Sequence, residues 1–387
     1  MSRPTILHLA VDFNTPQRPR TTTAIEWFVE ALDADFDNVV VAYLRRSRPG
    51  GLTAQLCESG HARLYHFPFF GLPLGLGLLP AMRAAARRTI RRLEQDGIRP
   101  DLVHAHKLTF EGLAGWYVAR HFGVPLFISL RGEVETKVFR MKPNLRGFLR
   151  RLCADAARLY FVSAWFRDEY HRYVPAQPDK ERLLPNIVRN IAPTIEPQPA
   201  GDRFVCVMNL DTWKRKGLRW LLEGFARAAA SEPALRLDII GGGSAQSRGI
   251  AERMIAEAGL SQRVTLVGRL ANAELLARLP GYRGLLMPSL NETFGMVYVE
   301  ALFAGIPILF TQGTAIDGYL DGLDVAHAVP PRDAAAIASA VLDMHRRNDG
   351  LRANIAAAAP RLFRTFDPAA ALAAYAADVR AAIGRKA

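Results

Sequence analysis

Short apolar runs alternate with longer stretches of helical periodicity along the first half of the chain. The apolar runs predict buried strands, and stretches in which apolar residues recur every three or four positions predict helices. The predicted strands are Ile6–Val11, Val39–Tyr43, Leu102–His104, Pro125–Leu130 and Leu159–Val162. The predicted helices are Thr22–Leu32, Pro80–Glu94, Phe110–Phe122, Asn144–Ala157 and Trp165–Tyr173. Continuous apolar strands separated by helices are typical of a parallel sheet covered on both faces.

This alternation stops at a proline-rich stretch, Asn190–Gly201, which we interpret as a linker between two domains. Beyond it, the predicted strands are Phe204–Met208, Leu235–Ile240, Val264–Val267, Gly284–Met287 and Ile306–Phe310. The predicted helices are Leu218–Ala230, Ser247–Glu257, Asn272–Leu279, Gly295–Ala304 and an alanine-rich end over Ala334–Ile383. The pattern predicts an α/β protein with two doubly wound, Rossmann-like domains. We expect these domains to face each other across a cleft, with a ligand at the carboxyl ends of both sheets.

The length and composition agree with this architecture. At 387 residues the chain exceeds the size at which one hydrophobic core keeps growing. No apolar run reaches the roughly 18 residues that a membrane span requires. The chain begins with a strand pattern rather than a secretory segment, and its cysteines (Cys57, Cys153 and Cys206) have no metal-ligand spacing. We therefore expect a cytoplasmic protein with reduced thiols.

Positive charge is concentrated in the first half of the chain. The net charge is +13, and residues 1–190 carry +10 of it, with 28 Lys and Arg against 18 Asp and Glu. Two segments hold much of this charge, a predicted helix within Leu79–Leu93 and the basic stretch Lys137–Lys142. The arginines on one side of that helix are Arg83, Arg87, Arg88, Arg91 and Arg92.

A basic amphipathic helix of this kind can lie on an anionic membrane surface. The charge-free aromatic run Phe67–Gly77, directly before it, is interpreted as a loop suited to contact with lipid or a lipid-linked substrate. We therefore predict peripheral association with the inner face of the cell membrane. The alternative is a helix packed on the core with a solvated basic face. Nucleic acid is not an expected partner, because no nucleic-acid motif is present and aromatic residues are not interleaved with the arginines.

Two glutamates flank the start of a predicted helix in the segment Pro288–Ala301. Glu292 lies in a short polar loop after a buried strand, and Glu300 lies about a turn and a half into the helix. The backbone N–H groups of Phe294–Val297 are predicted to bind an anion, because a helix start presents unpaired N–H groups and a favourable dipole. The carboxylates are suited to accept hydrogen bonds from hydroxyl groups, such as those of a sugar and a ribose. The alternative is that they only complement the helix dipole.

Several motifs occur in an order that resembles one enzyme family. They are Pro100–His106, Gly123–Gly132, Leu184–Asn186, Lys216–Leu218, Gly241–Gly243, the pair Glu292 and Glu300, and Ala304–Pro307. Together they resemble the retaining, two-domain nucleotide-sugar glycosyltransferases of family 4 (glycosyl transferases group 1). These enzymes have the GT-B fold and act in bacterial cell-surface glycan synthesis. The glutamate motif followed by Ala304–Pro307 is specific, whereas a glycine turn alone is a weak signal.

The resemblance implies a hexosyltransferase that moves a sugar from a nucleoside diphosphate sugar, with UDP or GDP, to a glycan or lipid-linked acceptor without any further cofactor. It implies an acceptor-binding domain over residues 1–190, a linker over 191–202 and a nucleotide-sugar-binding domain over 203–365. A helix over 366–387 is expected to pack back toward the first domain. The implied catalytic residues are Glu292, His106 and Arg131. The implied donor-binding residues are Lys214, Lys216, Asn209, Gly241, Phe294, Gly295, Met296, Val297 and Glu300. In this division Glu300 holds the ribose hydroxyls and Glu292 the transferred sugar.

A leaving pyrophosphate needs positive charge, either from a divalent metal or from fixed cations and helix N–H groups. The Asp-x-Asp sequence Asp33–Asp35 is predicted to be a surface turn, and no His/Asp cluster in the sequence suggests a metal. We therefore expect metal-independent chemistry in which Lys216 contacts the phosphates. Lys214 and Arg215 compete for the same role, and the alternative for Lys216 is a solvated lysine at a helix start.

Several positions depart from the family pattern. Asn209 stands where the family usually has an arginine, and Arg131 stands where many members have a histidine. Arg131 cannot act as a general base, so it either pairs with a phosphate or acidic acceptor or forms a salt bridge to Glu133 or Glu135. The alternative for His106 is an ordinary core histidine. The segment Thr311–Gly318 lacks the usual glycine pair and glutamate. The loop after the first strand lacks glycine, and its candidates for binding an acceptor are Arg18, Arg20, Thr21 and Thr22.

Other functional classes remain open from the sequence. A glycoside hydrolase also needs two carboxylates, about 5 Å apart when configuration is retained, but it has no pyrophosphate to hold. A nucleotide-sugar epimerase would convert the donor without an acceptor. A non-catalytic scaffold that binds nucleotide sugars at a membrane is a further alternative.

Overall fold

The computed structural model describes residues 3–16, 23–48, 50–57, 60, 62–72, 75–196 and 198–384. Its contacts divide the chain into two compact units. Unit 1 comprises Met1–Val162, Phe166–Ile187 and Pro368–Ala387, and unit 2 comprises Ser163–Trp165 and Val188–Asp367.

Unit 1 contains a sheet in which the strands pair in the order β3-β4-β2-β1-β5-β6-β7-β8. These strands are β1 Thr5–Ala10, β2 Asp37–Arg46, β3 Gln55–Cys57, β4 Arg63–Phe70, β5 Leu102–Ala105, β6 Leu126–Leu130, β7 Arg158–Phe161 and β8 Glu181–Leu183. Neighbouring strands are parallel except for β3, which pairs antiparallel with β4 at the edge. The central strands are buried along their whole length, as expected for a sheet covered by helices on both faces.

Besides the last helix of the chain, six helices connect or cover the described strands of unit 1. They are α1 Ala24–Glu30, α2 Leu78–Gln95, α3 Phe110–Phe122, α4 Glu133–Met141, α5 Pro143–Asp155 and α6 Phe166–His171. Helix α3 ends at Gly123, whose φ of 63° is the left-handed conformation that glycine adopts without strain. Within α3, a Cβ on Gly115 would lie 3.3 Å from side-chain atoms of Leu9 and Leu126, so the small residue lets the helix lie close to the sheet.

Unit 2 contains a parallel sheet in the order β11-β10-β9-β12-β13-β14. Its strands are β9 Arg203–Val207, β10 Arg236–Ile240, β11 Val264–Gly268, β12 Gly284–Met287, β13 Ile308–Thr311 and β14 Ala326–Val329. Its helices are α7 Leu218–Ser231, α8 Ala245–Glu257, α9 Asn272–Arg278, α10 Met296–Phe303, α11 Ala334–Arg346 and α12 Asn348–Phe366. A short 3₁₀ turn over Leu210–Thr212 follows β9.

Each sheet has a topological switch point where the strand order reverses. In unit 1 it lies between β1 and β5, and in unit 2 between β9 and β12. Ligands of doubly wound folds bind beside such points, at the carboxyl ends of the strands. The residues that follow these four strands are therefore the first place to look for a site.

The last helix of the chain, α13 Pro368–Gly384, belongs to unit 1. Its buried residues Tyr375 and Val379 join a core cluster with Phe28 and Phe127. Arg158 on β7 also donates to the carboxylate of Asp378 at 2.7 Å. This returning helix thus completes the core of unit 1.

The structure corrects parts of the sequence-based prediction. The run Phe67–Gly77 is not a loop throughout, because Phe67–Phe70 belongs to β4 and the rings of Phe67 and Phe69 are buried. The strands β3, β4, β8 and β14 and the helix α4 were not predicted. In the part of the chain that the structure describes, no helix is both long and apolar enough to cross a membrane.

Candidate functional site

At the unit 2 switch point, the start of α10 is held against the end of β12. The hydroxyl of Tyr298 donates to the carbonyl of Met287 at 2.6 Å. Gly295, directly before α10, has a φ of 71°, and a Cβ there would lie 2.6 Å from the Tyr298 ring. Glycine is therefore required at this turn, and the sequence Gly-x-x-Tyr fixes the direction in which the helix begins.

The first backbone N–H groups of α10 are available to a ligand. Among the described residues, no carbonyl or side chain accepts from the N–H groups of Phe294–Val297. The preceding carbonyl, that of Thr293, accepts from Ser163 Oγ at 2.7 Å and from Trp165 Nε1 at 3.2 Å. The loop is thus anchored through its carbonyl, while its donors stay unpaired at a helix start that favours anions.

Glu292 forms an ion pair with Lys216. The Lys216 Nζ donates to Glu292 Oε2, and the two side chains are 15% and 14% exposed. The pair depends on a close backbone approach, because a Cβ on Gly217 would lie 2.1 Å from the carbonyl oxygen of Pro288. The N–H of Leu290 also donates to the Arg215 carbonyl at 2.8 Å. Lys216, which was predicted to contact the phosphates, therefore lies next to Glu292, which was predicted to contact the transferred sugar.

Glu300 lies on α10, mostly buried, and has no hydrogen-bond partner for its carboxylate among the described residues. Burial raises the pKa of this carboxyl from its ordinary value to about 7. A carboxylate in this environment gains strongly from any hydroxyl that donates to it.

The basic residues after β9 occupy three different environments. Lys214 is exposed and lies with its Nζ 5.3 Å from the centre of the Trp213 ring. Arg215 donates to the carbonyl of Asn291 at 3.3 Å, which supports the loop that carries Glu292. Lys216 contacts the carboxylate of Glu292. This arrangement favours Lys216 over its two neighbours as the cation of the site.

Asn209 and Gly241 shape the carboxyl ends of β9 and β10. The Asn209 Oδ1 accepts from the N–H of Asp211 at 2.9 Å and so begins the 3₁₀ turn. A Cβ on Gly241 would lie 1.7 Å from the Met208 carbonyl oxygen, so this position requires glycine. On the other side of Glu292, the N–H of Ala315 donates to the Glu292 carbonyl at 2.9 Å. The carboxylate of Asp317 accepts from the N–H groups of Gly313 and Gly318 and closes its own turn.

The unit 1 switch point carries three buried histidines. The β1–β5 register places His8 opposite His104, and His106 follows β5 on the same face. The His8 Nδ1 lies 3.1 Å from the His106 Nε2, and the His8 Nε2 lies 3.1 Å from the Asn38 Oδ1. His104 contacts the Tyr375 hydroxyl and the Ser129 hydroxyl, each at 2.9 Å. This trio is the possible metal-ligand group found within the described residues, and most of its ring nitrogens already have hydrogen-bond partners.

Burial keeps these imidazoles neutral. It lowers the pKa of His8 to about 4, although the hydrogen bond to Asn38 opposes the shift. The pKa values of His104 and His106 are lowered well below the ordinary value, first by burial and then by the neighbouring histidines and Arg131.

Arg131 lies beside His106 at a small cavity. Its Nε donates to the His106 carbonyl at 2.9 Å, and its NH1 donates to the Asn186 Oδ1 at 3.2 Å. His106, Arg131 and Asn186 line this cavity together with Ser129 and Pro185. Two of the predicted catalytic residues therefore lie together in unit 1.

Some of the predicted residues cannot be placed and others were missed. Arg18, Arg20, Thr21 and Thr22 lie outside the described residues. His8 and Asn38 were not identified from the sequence, although a histidine in the middle of the apolar run Ile6–Val11 was a usable signal. Glu111 was also missed; its Oε1 accepts from the Val11 N–H at 2.9 Å, and burial raises its pKa to about 7.

Two family models match consecutive parts of the chain. A model described as a glycosyl transferase 4-like domain matches residues 21–187, and one described as glycosyl transferases group 1 matches residues 201–347. The first match ends at residue 187, where the main segment of unit 1 ends, and the second lies within unit 2.

Individual proteins give the same result. A phosphatidyl-myo-inositol mannosyltransferase of Mycobacterium leprae is 26% identical over 313 residues, which cover 79% of this chain and 78% of that protein. An alpha-monoglucosyldiacylglycerol synthase of Acholeplasma laidlawii is 29% identical over 261 residues, 61% of this chain and 64% of the relative. The structure of the alpha,alpha-trehalose 6-phosphate synthase of Burkholderia multivorans superposes with a TM-score of 0.76 at 15% identity. The superposition covers 100% of this chain and 98% of the other, which shows that the two proteins share a fold.

Proposed function

Because the chain belongs to the family 4 glycosyltransferases of the GT-B fold, we propose that it transfers a hexose from a nucleoside diphosphate sugar with retention of configuration. The nucleotide is UDP or GDP, and the acceptor is a glycan or a lipid-linked molecule. The observation that carries this proposal is the group formed by Lys216, Glu292, Glu300 and the N–H groups at the start of α10, which have no partner among the residues that the structure describes.

In this proposal each part of the group takes one part of the donor. The N–H groups of Phe294–Val297 and the Lys216 ammonium bind the diphosphate. Glu300 accepts hydrogen bonds from the ribose hydroxyls, which remove the cost of its desolvation. Glu292 accepts from hydroxyls of the transferred sugar, and its ion pair with Lys216 holds the carboxylate in position.

The reaction breaks the bond between the anomeric carbon and the diphosphate oxygen and forms a bond to an acceptor oxygen, whose proton is taken up by the departing diphosphate. Negative charge develops on the diphosphate as its bond breaks. Fixed donors aimed at that charge stabilise the transition state, because they need no reorganisation at the moment of reaction. Lys216 and the α10 start can supply this stabilisation, so we propose that the reaction does not require a divalent metal. Activity retained in excess EDTA would support this, and activity restored only by added Mg²⁺ or Mn²⁺ would contradict it.

We also propose that α2 contacts an anionic membrane surface that holds the acceptor. The exposed arginines Arg83, Arg87 and Arg91 follow one another at four-residue spacing along α2. Leu72 and Leu76, which precede the helix, are 43% and 61% exposed. The names of both relatives described above contain the name of a lipid.

Two arginines of the predicted basic face have structural contacts instead. Arg88 donates to the Pro68 carbonyl at 2.9 Å and lies 4.8 Å from the centre of the Phe67 ring. Arg92 pairs with Asp96 at 2.8 Å. The membrane test therefore uses Arg87→Glu with Arg91→Glu, and the matched control makes the same charge change at Arg248 and Arg253 on α8. Co-sedimentation with anionic liposomes should fall only in the α2 variant, and equal binding to neutral and anionic vesicles would refute an electrostatic contact.

The test of the donor proposal is a thermal-shift panel of UDP-, GDP-, ADP- and CMP-sugars. A donor at 100 times its Kd should add about 2.7 kcal/mol to the free energy of unfolding. Glu300→Gln should weaken that shift, and transfer of the sugar to an acceptor should follow with the same nucleotide. No stabilisation by any nucleotide sugar would refute the proposal. Hydrolysis of simple glycosides, or conversion of the donor without an acceptor, would instead indicate the hydrolase or epimerase alternative.

A further inference from the structure

We infer that Asn38 and His8 form a hydrogen-bond relay that fixes the tautomer of His106, so that the His106 Nδ1 accepts a hydrogen bond from a substrate hydroxyl. The relay itself follows from the geometry of unit 1. The substrate part rests on the proposed glycosyltransferase reaction. His8 and Asn38 are then positioning residues, which act on the substrate only through His106.

The relay begins at Asn38, whose amide orientation is determined by its neighbours. The Asn38 Nδ2 donates to the Val29 carbonyl at 3.3 Å and to the Asp33 carboxylate at 2.8 Å. Both of these groups can only accept, so the amide nitrogen must face them. The Asn38 Oδ1 consequently faces His8.

This orientation determines the proton position on both imidazoles. The Asn38 Oδ1 can only accept, so the His8 Nε2, 3.1 Å away, must carry a proton. A neutral His8 then has a bare Nδ1, which accepts from the His106 Nε2 at 3.1 Å. His106 therefore carries its proton on Nε2, and its Nδ1 keeps a lone pair. Full burial of His8 supports the neutral form on which this argument depends.

The lone pair of His106 is placed where a ligand can reach it. The His106 Nδ1 has no hydrogen-bond partner among the described residues. This nitrogen is not completely shielded from solvent. His106 lines the cavity that also contains Arg131 and Asn186. A sugar hydroxyl in this cavity can donate to Nδ1, and the adjacent Arg131 guanidinium disfavours a second proton on the ring.

A metal site formed by the three histidines would use the same atoms differently. A metal needs a lone pair from each imidazole. In the observed arrangement the His8 Nδ1 is occupied by His106, and both nitrogens of His104 are occupied by Tyr375 and Ser129. The relay leaves one lone pair at the cavity rather than three directed at a common point.

NMR spectroscopy can determine directly which nitrogen of His106 carries the proton. Long-range ¹⁵N NMR of the full chain labelled with ¹⁵N-histidine is compared for wild type, His8→Phe, His8→Asn and Asn38→Leu. Phe keeps an aromatic ring but removes the acceptor, whereas the Asn carbonyl oxygen can replace the His8 Nδ1. Tyr375→Phe is the matched control, since it removes a hydroxyl from the same core without a contact to His106.

The expected result is a wild-type His106 with its proton on Nε2 and an unprotonated Nδ1. His8→Phe should give a mixture of tautomers, His8→Asn should restore the wild-type pattern, and Tyr375→Phe should leave it unchanged. Should His8→Phe not fold, Asn38→Leu tests the relay, with the same expected mixture. With the donor identified by the stabilisation panel, His8→Phe should lower kcat roughly tenfold while the donor KM stays nearly constant.

A proton on the His106 Nδ1 in wild type would overturn the relay, as would an unchanged tautomer in both His8→Phe and Asn38→Leu. Stoichiometric zinc that shifts the signals of all three histidines together would overturn it in favour of a metal site. An unchanged kcat in a variant with a mixed tautomer would overturn the substrate contact. If no nucleotide sugar is turned over, the proposed function fails, and the NMR comparison still decides the relay.

Discussion

The two switch points differ in the charge and the burial of the side chains that they hold. The unit 2 point holds charged side chains at partial exposure, with Lys216 and Glu292 paired in the same region as backbone donors that have no partner in the described part of the chain. The unit 1 point holds neutral imidazoles in full burial, and each is held by hydrogen bonds to other neutral groups. Charges that remain reachable can exchange partners with a ligand, whereas buried neutral groups can fix only geometry and proton position.

This difference separates the expected effects of substitution. Changes at the unit 2 point should act mainly on donor affinity and turnover, because its charged groups are the ones proposed to contact the diphosphate. Changes in the unit 1 cluster outside the relay of Asn38, His8 and His106 should act mainly on stability, because they leave buried polar atoms without partners.

The largest effect on activity is expected from Lys216→Met. Loss of the cation removes a donor aimed at the departing diphosphate, so kcat should fall by about 10²–10³-fold. Steady-state kinetics with the identified donor measures this loss. Arg227→Met on α7, an exposed position in the same unit, is the control and should stay within twofold of wild type. Wild-type turnover by the Lys216 variant would assign the phosphate contact to another cation.

The next largest effect is expected on the free energy of unfolding, when either of two glycines with a left-handed backbone is replaced by alanine. Gly217 and Gly313 have φ values of 72° and 67°, but only at Gly217 would a Cβ meet a backbone oxygen, at 2.1 Å. Gly313→Ala should therefore cost about 1–2 kcal/mol from the backbone conformation alone. Gly217→Ala should cost more than about 3 kcal/mol, because the Pro288 loop must also move. Urea denaturation measures both, and equal losses would mean that the contact between the two loops is not required.

A smaller effect is expected from the pH dependence of donor binding. The pKa of Glu300 is raised to about 7 by burial, so its carboxyl is increasingly protonated below that pH. Ribose hydroxyls that donate to the carboxylate favour the ionised form, so binding releases a proton and affinity rises with pH up to about 7. Below pH 7 the Kd should weaken by up to about tenfold per unit. Calorimetry with a nucleotide sugar measures this, and the slope should vanish in Glu300→Gln.

The smallest effect is expected at Tyr375, which contacts His104 and lies outside the relay of Asn38, His8 and His106. Tyr375→Phe removes the partner of the buried His104 Nδ1, which should cost about 1–2 kcal/mol of unfolding free energy. Its kcat should remain within twofold of wild type, unlike that of Lys216→Met. Tyr117→Phe on α3 is the control for loss of a hydroxyl and should cost less than about 0.5 kcal/mol. A large loss of kcat in Tyr375→Phe, without a loss of stability, would contradict the separation of the two regions.

Much of the α/β architecture could be predicted because buried parallel strands consist of continuous runs of apolar residues. The helix α3 was predicted with its observed bounds, and β12 likewise. The strand β4 was missed because its aromatic residues and Pro68 precede a glycine-rich stretch and resemble a loop. Burial on both faces of an internal strand, which is a tertiary property, determines its conformation.

The candidate site was only partly predictable for a similar reason. Motif order identified the positions of Glu292, Glu300 and Lys216, but no local pattern shows that Lys216 pairs with Glu292, since 76 residues separate them. His8 and Asn38 act through the register of β1, β2 and β5, which no single segment encodes. Spacing along the chain predicts which residues are candidates for the chemistry, whereas their pairing follows from the sheet order.

Hydrogen exchange of the full chain, with and without the nucleotide sugar that stabilises it most, tests the donor site most directly. The account predicts that the ligand slows exchange in the loop that follows β9, in Thr311–Gly318 and above all at the N–H groups of Phe294–Val297, which have no partner within the described residues. Protection there should be lost in Lys216→Met and reduced in Glu300→Gln. Protection confined to unit 1, with unchanged exchange at the start of α10, would contradict the assignment of the unit 2 switch point as the donor site.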